Sequence, residues 1–552
     1  MEADGYVIRE DIRMGKKVFV CIATLLILTT GLLVVGCGNK AGQENKKAST
    51  TMEVPQLDSG PISGILDDSI WTYKGIPYAA PPVGELRWKE PQPVDPWQDV
   101  KTCTAFGPAC PQSRPALAVL GTELNNVGPQ SEDCLYLNVW TPAASPNTNL
   151  PVMVWIHGGG FDAGAASQFM YDGRNLAEKG VVLVSINYRL GAFGFMAHPQ
   201  LSDESSRGVS GNYGLMDQIA SLEWVQRNID VFGGDPGKVT VFGESAGGGS
   251  VCDLMASPLT GGLFQRAIVE SGGFLSMGLP ANPGGGTLSS AEKTGEKMAE
   301  ALGCDGADDV LACMRGKTAE EVTAAQDKQG GVLEAQTWFP IIDGWVLTDK
   351  PQNIFAAGEQ QKVPLLIGTN ANEATVLASN ITADQYGMLI AYLYGSKADR
   401  VSALYPVVAG DAKAAFVKLL TELGFAAPSK FAAAGMANVD EPAYLYKFTM
   451  TSNDPRVAQY GSFHSLEIAY VFGNMDKAPG VVVRPEDKAL SEAMMNYWTS
   501  FASSGDPNGK GEPQWPALTI ESDQYQELGA AVSTQTGYYP QAYDLLKTIT
   551  GM

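Results

Sequence analysis

The stretch VTVFGESAGGGSV, residues 239–251, decides the fold. Its first four residues, Val239-Thr-Val-Phe242, are β-branched or aromatic and predict a short buried strand. The turn Gly243-Glu244-Ser245-Ala246-Gly247 follows at once, and residues 246–255 read as a helix. A strand, a sharp turn and a helix around G-x-S-x-G make a nucleophile elbow. The sharp turn lifts the Ser245 hydroxyl clear of the sheet. It also crowds the flanking positions against a neighbouring strand and helix, where only glycine fits. The helix N-terminus behind the serine favours negative charge. G-x-S-x-G alone carries little weight in a chain with 62 glycines; its placement between a strand and a helix carries the argument.

Outward from this motif, strand and helix alternate from about residue 150. VMVWIH (152–157), VVLVSINY (181–188), AIVES (267–271) and PLLIG (364–368) are apolar strand runs. Between the second and the elbow, Leu215, Ile219, Leu222 and Val225 recur at helical spacing, which predicts a helix from Tyr213 to Val231 stopped by Gly233-Gly-Asp-Pro236. Continuous apolar strands alternating with helices predict a mostly parallel central sheet flanked by helices on both faces, and the nucleophile elbow on such a sheet makes the expected fold an α/β-hydrolase. Regions 280–335 and 375–440 are rich in Ala, Gly and helix formers and are expected to form helical insertions over the active site.

A serine hydroxyl needs a base. The chain has three histidines: His157, His198 and His464. In this fold the order is serine, acid, histidine, and only His464, in SFHSLEIAYVFG, lies downstream of Ser245. The acid must lie between them and past the end of a strand. Glu373 follows PLLIG in GTNANEATVL, and Asp343 follows an apolar run in FPIIDGW; position favours Glu373 without excluding Asp343. For the oxyanion, His157-Gly-Gly-Gly-Phe161 after the strand VMVWI fits the HGGG pattern that supplies backbone donors.

The chain has 552 residues, 45% hydrophobic and 18% charged, with net charge −22. That field argues against a nucleic-acid partner. At the N-terminus, basic Met14-Gly-Lys-Lys17 precedes an apolar run over 18–35 that ends in Val34-Val35-Gly36-Cys37. This looks like a bacterial lipoprotein signal, cleaved before a lipidated Cys37. A plain transmembrane anchor competes, since 18 apolar residues just span a bilayer. The expected organisation is a signal and upstream extension over 1–36, a polar disordered tether over 37–56, and one catalytic domain over 57–552. The expected location is exported and lipid-anchored to the bacterial cell envelope. Export permits disulfides. The spacings Cys110 to Cys134 and Cys304 to Cys313 suit closed loops, yet six thiols leave fifteen pairings open. Cys252, in the apolar segment after Ser245, reads as a buried free thiol.

These motifs, with YKGIPYAAPPVGELRW (73–88), SEDCLYLNVWTP (131–142), NYRLGAFGF (187–195), GNYGLMDQIASLEWVQRNIDVFGGDP (211–236) and FHSLEIAYVFG (463–473), resemble the type-B carboxylesterase and cholinesterase family over nearly all of 60–545. The resemblance implies that Ser245 is the nucleophile, Glu373 rather than Asp343 the acid, and His464 the base. It implies that the amides of Gly159, Gly160 and Ala246 form the oxyanion hole and that Glu244 lines the substrate gorge. It also implies disulfides Cys110–Cys134 and Cys304–Cys313, leaving Cys103 and Cys252 free. The expected reaction is hydrolysis of a small-molecule carboxylic ester through an acyl-enzyme, with no cofactor, no metal and no protein partner. Amide, carbamate and lipid esters remain alternatives, as does a non-catalytic adhesion role, although relatives of that kind lack the serine. Two departures stand out. Ala374 follows the acid where the family has glycine, and residues 111–133 contain no aromatic residue. The second removes the cation–π site that choline esters need, so a general bacterial carboxylesterase, similar to para-nitrobenzyl esterases, is expected.

Overall fold

A computed structural model describes residues 54–113, 126–274, 286–326, 337–477, 482–509, 511–519 and 521–551. All belong to one compact unit, Met52–Met552. The expected signal segment, Cys37 and nearly all of the tether lie outside the described residues, as do parts of the first expected insertion. Among the described residues no helix is long and apolar enough to cross a membrane.

The strands are β1 (Ile62–Ser63), β2 (Ile65–Asp67), β3 (Ile70–Pro77), β4 (Lys101–Thr102), β5 (Tyr136–Thr141), β6 (Leu150–Ile156), β7 (Val182–Ile186), β8 (Gly234–Glu244), β9 (Arg266–Glu270), β10 (Leu365–Asn370), β11 (Ala443–Phe448), β12 (Gln524–Leu528) and β13 (Ser533–Thr536). β1 and β4 form a separate parallel pair, and the other eleven build one sheet in the order β13-β12-β11-β10-β9-β8-β6-β7-β5-β3-β2. From β7 to β12 every pairing is parallel. Both flanks end in antiparallel strands.

Alternate side chains feed two cores. Val152, Val154 and Ile156 of β6, with Val182, Val184 and Ile186 of β7, enter one. Met153, Trp155 and Leu183 enter the other, with Phe242 and Leu366. Burying each such side chain is worth about 1.5–3 kcal/mol, so the continuous apolar runs follow from a sheet covered on both faces.

The expected elements form, with shifted ends. The helix from Tyr213 stops at Asn228 and tightens into a 3₁₀ turn over Ile229–Phe232. Gly233 ends it at φ 79°. β8 starts eight residues before the elbow's apolar run ends, at Gly234. The insertions are helical where described, including Leu288–Ala301, Ala383–Tyr394 and Ala427–Ala437. Behind β7, Arg189 forks onto buried Asp217, with Nε 2.8 Å from one carboxylate oxygen and NH2 2.7 Å from the other. That pair ties the NYRLGAFGF segment to the helix before the elbow. The disulfides are Cys110–Cys134 and Cys304–Cys313, each worth about 3 kcal/mol by loop closure. Cys103 and Cys252 are free and buried.

Candidate active site

Ser245 sits at φ 56°, ψ −121°, a strained conformation for a residue with a side chain. Its N–H donates to Glu270 O on β9 (2.9 Å), and its own carbonyl accepts the N–H of Gly249 (2.8 Å). The flanking glycines are forced. A Cβ on Gly247 would come within 2.0 Å of Ile156 O, and one on Gly243 within 2.6 Å of the same atom. Glu244 and Ala246 are buried, and Ser245 between them is half-buried. The hydroxyl therefore stands at the accessible tip of a packed turn.

Glu373 opens a short 3₁₀ turn just past β10 and is fully buried. Its Oε2 lies 2.7 Å from His464 Nδ1, and its Oε1 accepts the N–H of Asn370 (2.6 Å). The loops carrying acid and histidine are sewn together. Asn372 N–H donates to Ser462 O (3.0 Å), and Ser462 N–H donates to Asn372 Oδ1 (3.1 Å). Asn370 Nδ2 donates to Phe463 O (2.7 Å) and to Glu467. On the other side of the ring, His464 Nε2 lies 3.2 Å from Glu244 Oε1. Ser245 Oγ has no hydrogen-bond partner among the described residues.

The triple glycine follows β6. Gly159, Gly160 and Phe161 have φ of 108°, 66° and 65°. A Cβ on Gly159 would meet Ala163 O at 2.2 Å, and one on Gly158 would lie 3.1 Å from Ser245 Cβ. The loop thus passes directly beside the serine, and glycine is what allows the approach. Ala246, first residue of the helix Ala246–Ala256, has an N–H without an acceptor within the helix.

The electrostatics separate the three histidines. His157 is buried, stacks on Tyr188 at 4.6 Å and places Nδ1 2.8 Å from Gly158 O; burial lowers it to about 4, so it stays neutral. His198 caps a helix by accepting the N–H of Gln200 (3.2 Å). Burial opposes charge on His464 too, but Glu244 and the Glu373 hydrogen bond overcome it and hold the imidazole well above its usual range. Glu244 is itself raised by burial, against the pull of His464. Among the described residues no group of three or more His, Cys, Asp or Glu side chains is placed to hold a metal ion.

Several neighbours were invisible in the sequence. Phe425, on a π-helical stretch over Leu420–Ala426, packs its ring 5.1 Å from that of His464. Thr421 on the same stretch accepts the N–H of Ala374 (3.2 Å). Phe161 meets Phe195 and Phe339 at 5.2 and 5.8 Å, giving the triple-glycine side an aromatic wall. Ser465, at φ 70°, donates to Glu244 Oε1 (2.6 Å). Only Ser465 and Glu467, within the histidine motif, left a local trace; the aromatic contacts join segments far apart in the chain.

The chain matches the Carboxylesterase family over residues 49–403 and 407–546. It is 36% identical over 499 residues to the para-nitrobenzyl esterase of Bacillus subtilis (strain 168), covering 88% of this chain and 96% of that one. To the fumonisin B1 esterase of Sphingopyxis macrogoltabida it is 37% identical over 481 residues, 84% of each chain. A solved PNB esterase structure superposes with a TM-score of 0.78 at 34% identity, covering 90% of this chain and all of the other. The chain therefore belongs to the carboxylesterase family and is a carboxylic ester hydrolase.

Proposed function

We propose that Ser245, His464 and Glu373 form the catalytic triad and hydrolyse esters through an acyl-enzyme. The observation that carries this reading is the 2.7 Å Glu373–His464 hydrogen bond beside a strained serine elbow. Ser245 Oγ attacks the ester carbonyl carbon while Nε2 of His464 takes its proton. Glu373 at Nδ1 stabilises the imidazolium and fixes its tautomer. The developing oxyanion is held by the amides of Gly159, Gly160 and Ala246. The alcohol leaves with the proton from Nε2, and water then attacks the acyl-enzyme with His464 again as base. Before attack the serine hydroxyl must take the place at Nε2 that Glu244 holds, a side-chain rotation that leaves the elbow where it is. Glu244 is read as part of the gorge wall.

The aromatic side chains Phe161, Phe339 and Phe425 support a small neutral ester with an aryl or benzyl group as substrate, in line with the name of the Bacillus relative. Ser245→Ala is expected to lower the hydrolysis rate of a para-nitrophenyl ester on the order of a million-fold. Retention of more than a hundredth of the activity would reject the assignment.

We read the N-terminus as a lipoprotein signal with Cys37 as the lipid-bearing residue, supported by the basic start, the apolar run and the small residues before the cysteine. Cys37→Ser is expected to free the protein from membranes or stall its processing. A membrane-bound variant that begins at Met1 or Met14 would mean a transmembrane anchor.

A further inference from the structure

The site contains more buried carboxyl groups than the triad uses. One is Glu270, the last residue of β9 and register partner of Glu244 on β8. Glu270 is fully buried. Its Oε1 accepts the indole N–H of Trp498 (2.8 Å), and its Oε2 has no partner. Among the described residues no Lys, Arg or His pairs with it. Its surroundings are acidic or weakly acidic from every side. Glu244 comes from β8, Tyr446 from β11, Glu467 from the turn after His464, and Tyr171 from the 3₁₀ turn Phe169–Tyr171. The Tyr446 ring lies over Gly368, the β10 residue paired with both Glu270 and Tyr446; a Cβ there would strike the ring at 2.3 Å. Among the described residues the one cationic group of the cluster, His464, already serves Glu373 and Glu244.

A lone carboxylate in such a place costs several kcal/mol unless it is paired. The backbone of the same residue, meanwhile, supports the nucleophile. Glu270 O accepts the Ser245 N–H, and a Cβ on Gly248 would sit 2.9 Å from that oxygen. The next residue, Ser271, is at φ 48° and donates to Glu467 Oε1 (3.0 Å). The junction between β9 and the following turn is therefore strained, acidic and in direct contact with the elbow.

We propose that Glu270 is a positioning residue that keeps its proton at neutral pH and, uncharged, lets β9 hold the Ser245 elbow, so that ionising it in alkaline solution loosens the elbow and sets the upper pH limit of the enzyme. Burial, with Glu244 as a smaller contributor, pushes the carboxyl up to about 8. Its folded-state value thus lies above its unfolded one. The stability it contributes is complete below the ordinary carboxylate range and is lost as pH rises toward and through about 8.

The proposal rests on Ser245 as nucleophile only for its activity arm. The stability arm is independent: Tm of wild type and of Glu270→Gln is measured from pH 5 to pH 9.5. The glutamine variant keeps the shape and removes the ionisation, so its Tm relative to wild type is expected to climb from pH 5 to about pH 8 and to level off above it. In the activity arm, the ratio of kcat/KM at pH 9.5 to that at pH 7 is expected to rise about threefold or more in the variant. A pH-independent Tm difference overturns the proposal, because a purely structural role would produce that. A climbing Tm difference with an unchanged activity ratio overturns the link to the elbow. If Glu270→Gln does not fold, Trp498→Phe takes its place. It removes the only donor to the carboxylate among the described residues and is expected to move the alkaline fall in Tm to higher pH; no movement, or movement to lower pH, rejects the proposal.

Discussion

Glu373 and Asp343 are two carboxylates that each follow an apolar run between Ser245 and His464, and the structure uses them for opposite purposes. Glu373 is fully buried and spends one oxygen on Asn370 N–H while aiming the other at His464 Nδ1. Asp343 is saturated by its own turn. Its Oδ1 accepts the N–H groups of Trp345, Val346 and Leu347 at 2.9, 2.8 and 3.1 Å, and its Oδ2 accepts Asn212 Nδ2 at 2.9 Å. Four donors leave it nothing to offer an imidazole. What separates a carboxylate aimed at an imidazole from a structural aspartate is which donors the next few residues present. Gly344 at φ 82° folds the chain back onto Asp343. The loop after β10 instead runs toward the histidine loop and turns Glu373 outward to it.

Exchanging charge for amide at each site separates the two carboxylates. Glu373→Gln is expected to lower kcat/KM about ten-thousand-fold with the fold intact, because an amide can favour the wrong tautomer of His464; a short-chain ester assay with circular dichroism checks it. Asp343→Asn is expected to leave kcat/KM within about threefold but to cost about 1–3 kcal/mol in stability, since an amide N–H would face the Asn212 donor. Thermal or urea unfolding measures that loss. The smallest effect sharpens the electrostatics on the His464 side. Glu244 stabilises the imidazolium, so Glu244→Gln is expected to move the acid limb of the kcat/KM profile to lower pH. A limb that stays put or moves up would show that Glu244 does not bear on the base.

Much of this site is legible in the sequence because it is built from rare or local features. The elbow is one contiguous segment, and a Cβ added at Gly247 or Gly243 would lie 2.0 or 2.6 Å from Ile156 O on the neighbouring strand. His464 stands out because only three histidines exist. Position favours Glu373 over Asp343 without deciding between them, since both follow apolar runs; the family resemblance implies Glu373, and the hydrogen bonds put Glu373 against His464 and Asp343 within its own turn. The strand Ala443–Phe448 is not evident in the sequence because Lys447 interrupts the apolar run, its ammonium resting over Tyr539 at 4.5 Å. Phe425 escaped because a π-helical stretch shifts the phase of its helix, and its partner lies 39 residues on. Glu270 escaped because a carboxyl ending an apolar strand looks like a solvated boundary. It is buried, and the indole N–H it accepts comes from Trp498, 228 residues away.

The central claim is that Ser245 is the one activated serine. The most direct measurement is reaction with an organophosphonate followed by mass spectrometry of the digested protein. The account predicts a single adduct on the peptide that contains Ser245, formed in step with loss of activity and absent from Ser245→Ala. An adduct on another serine that tracks the loss of activity would contradict it.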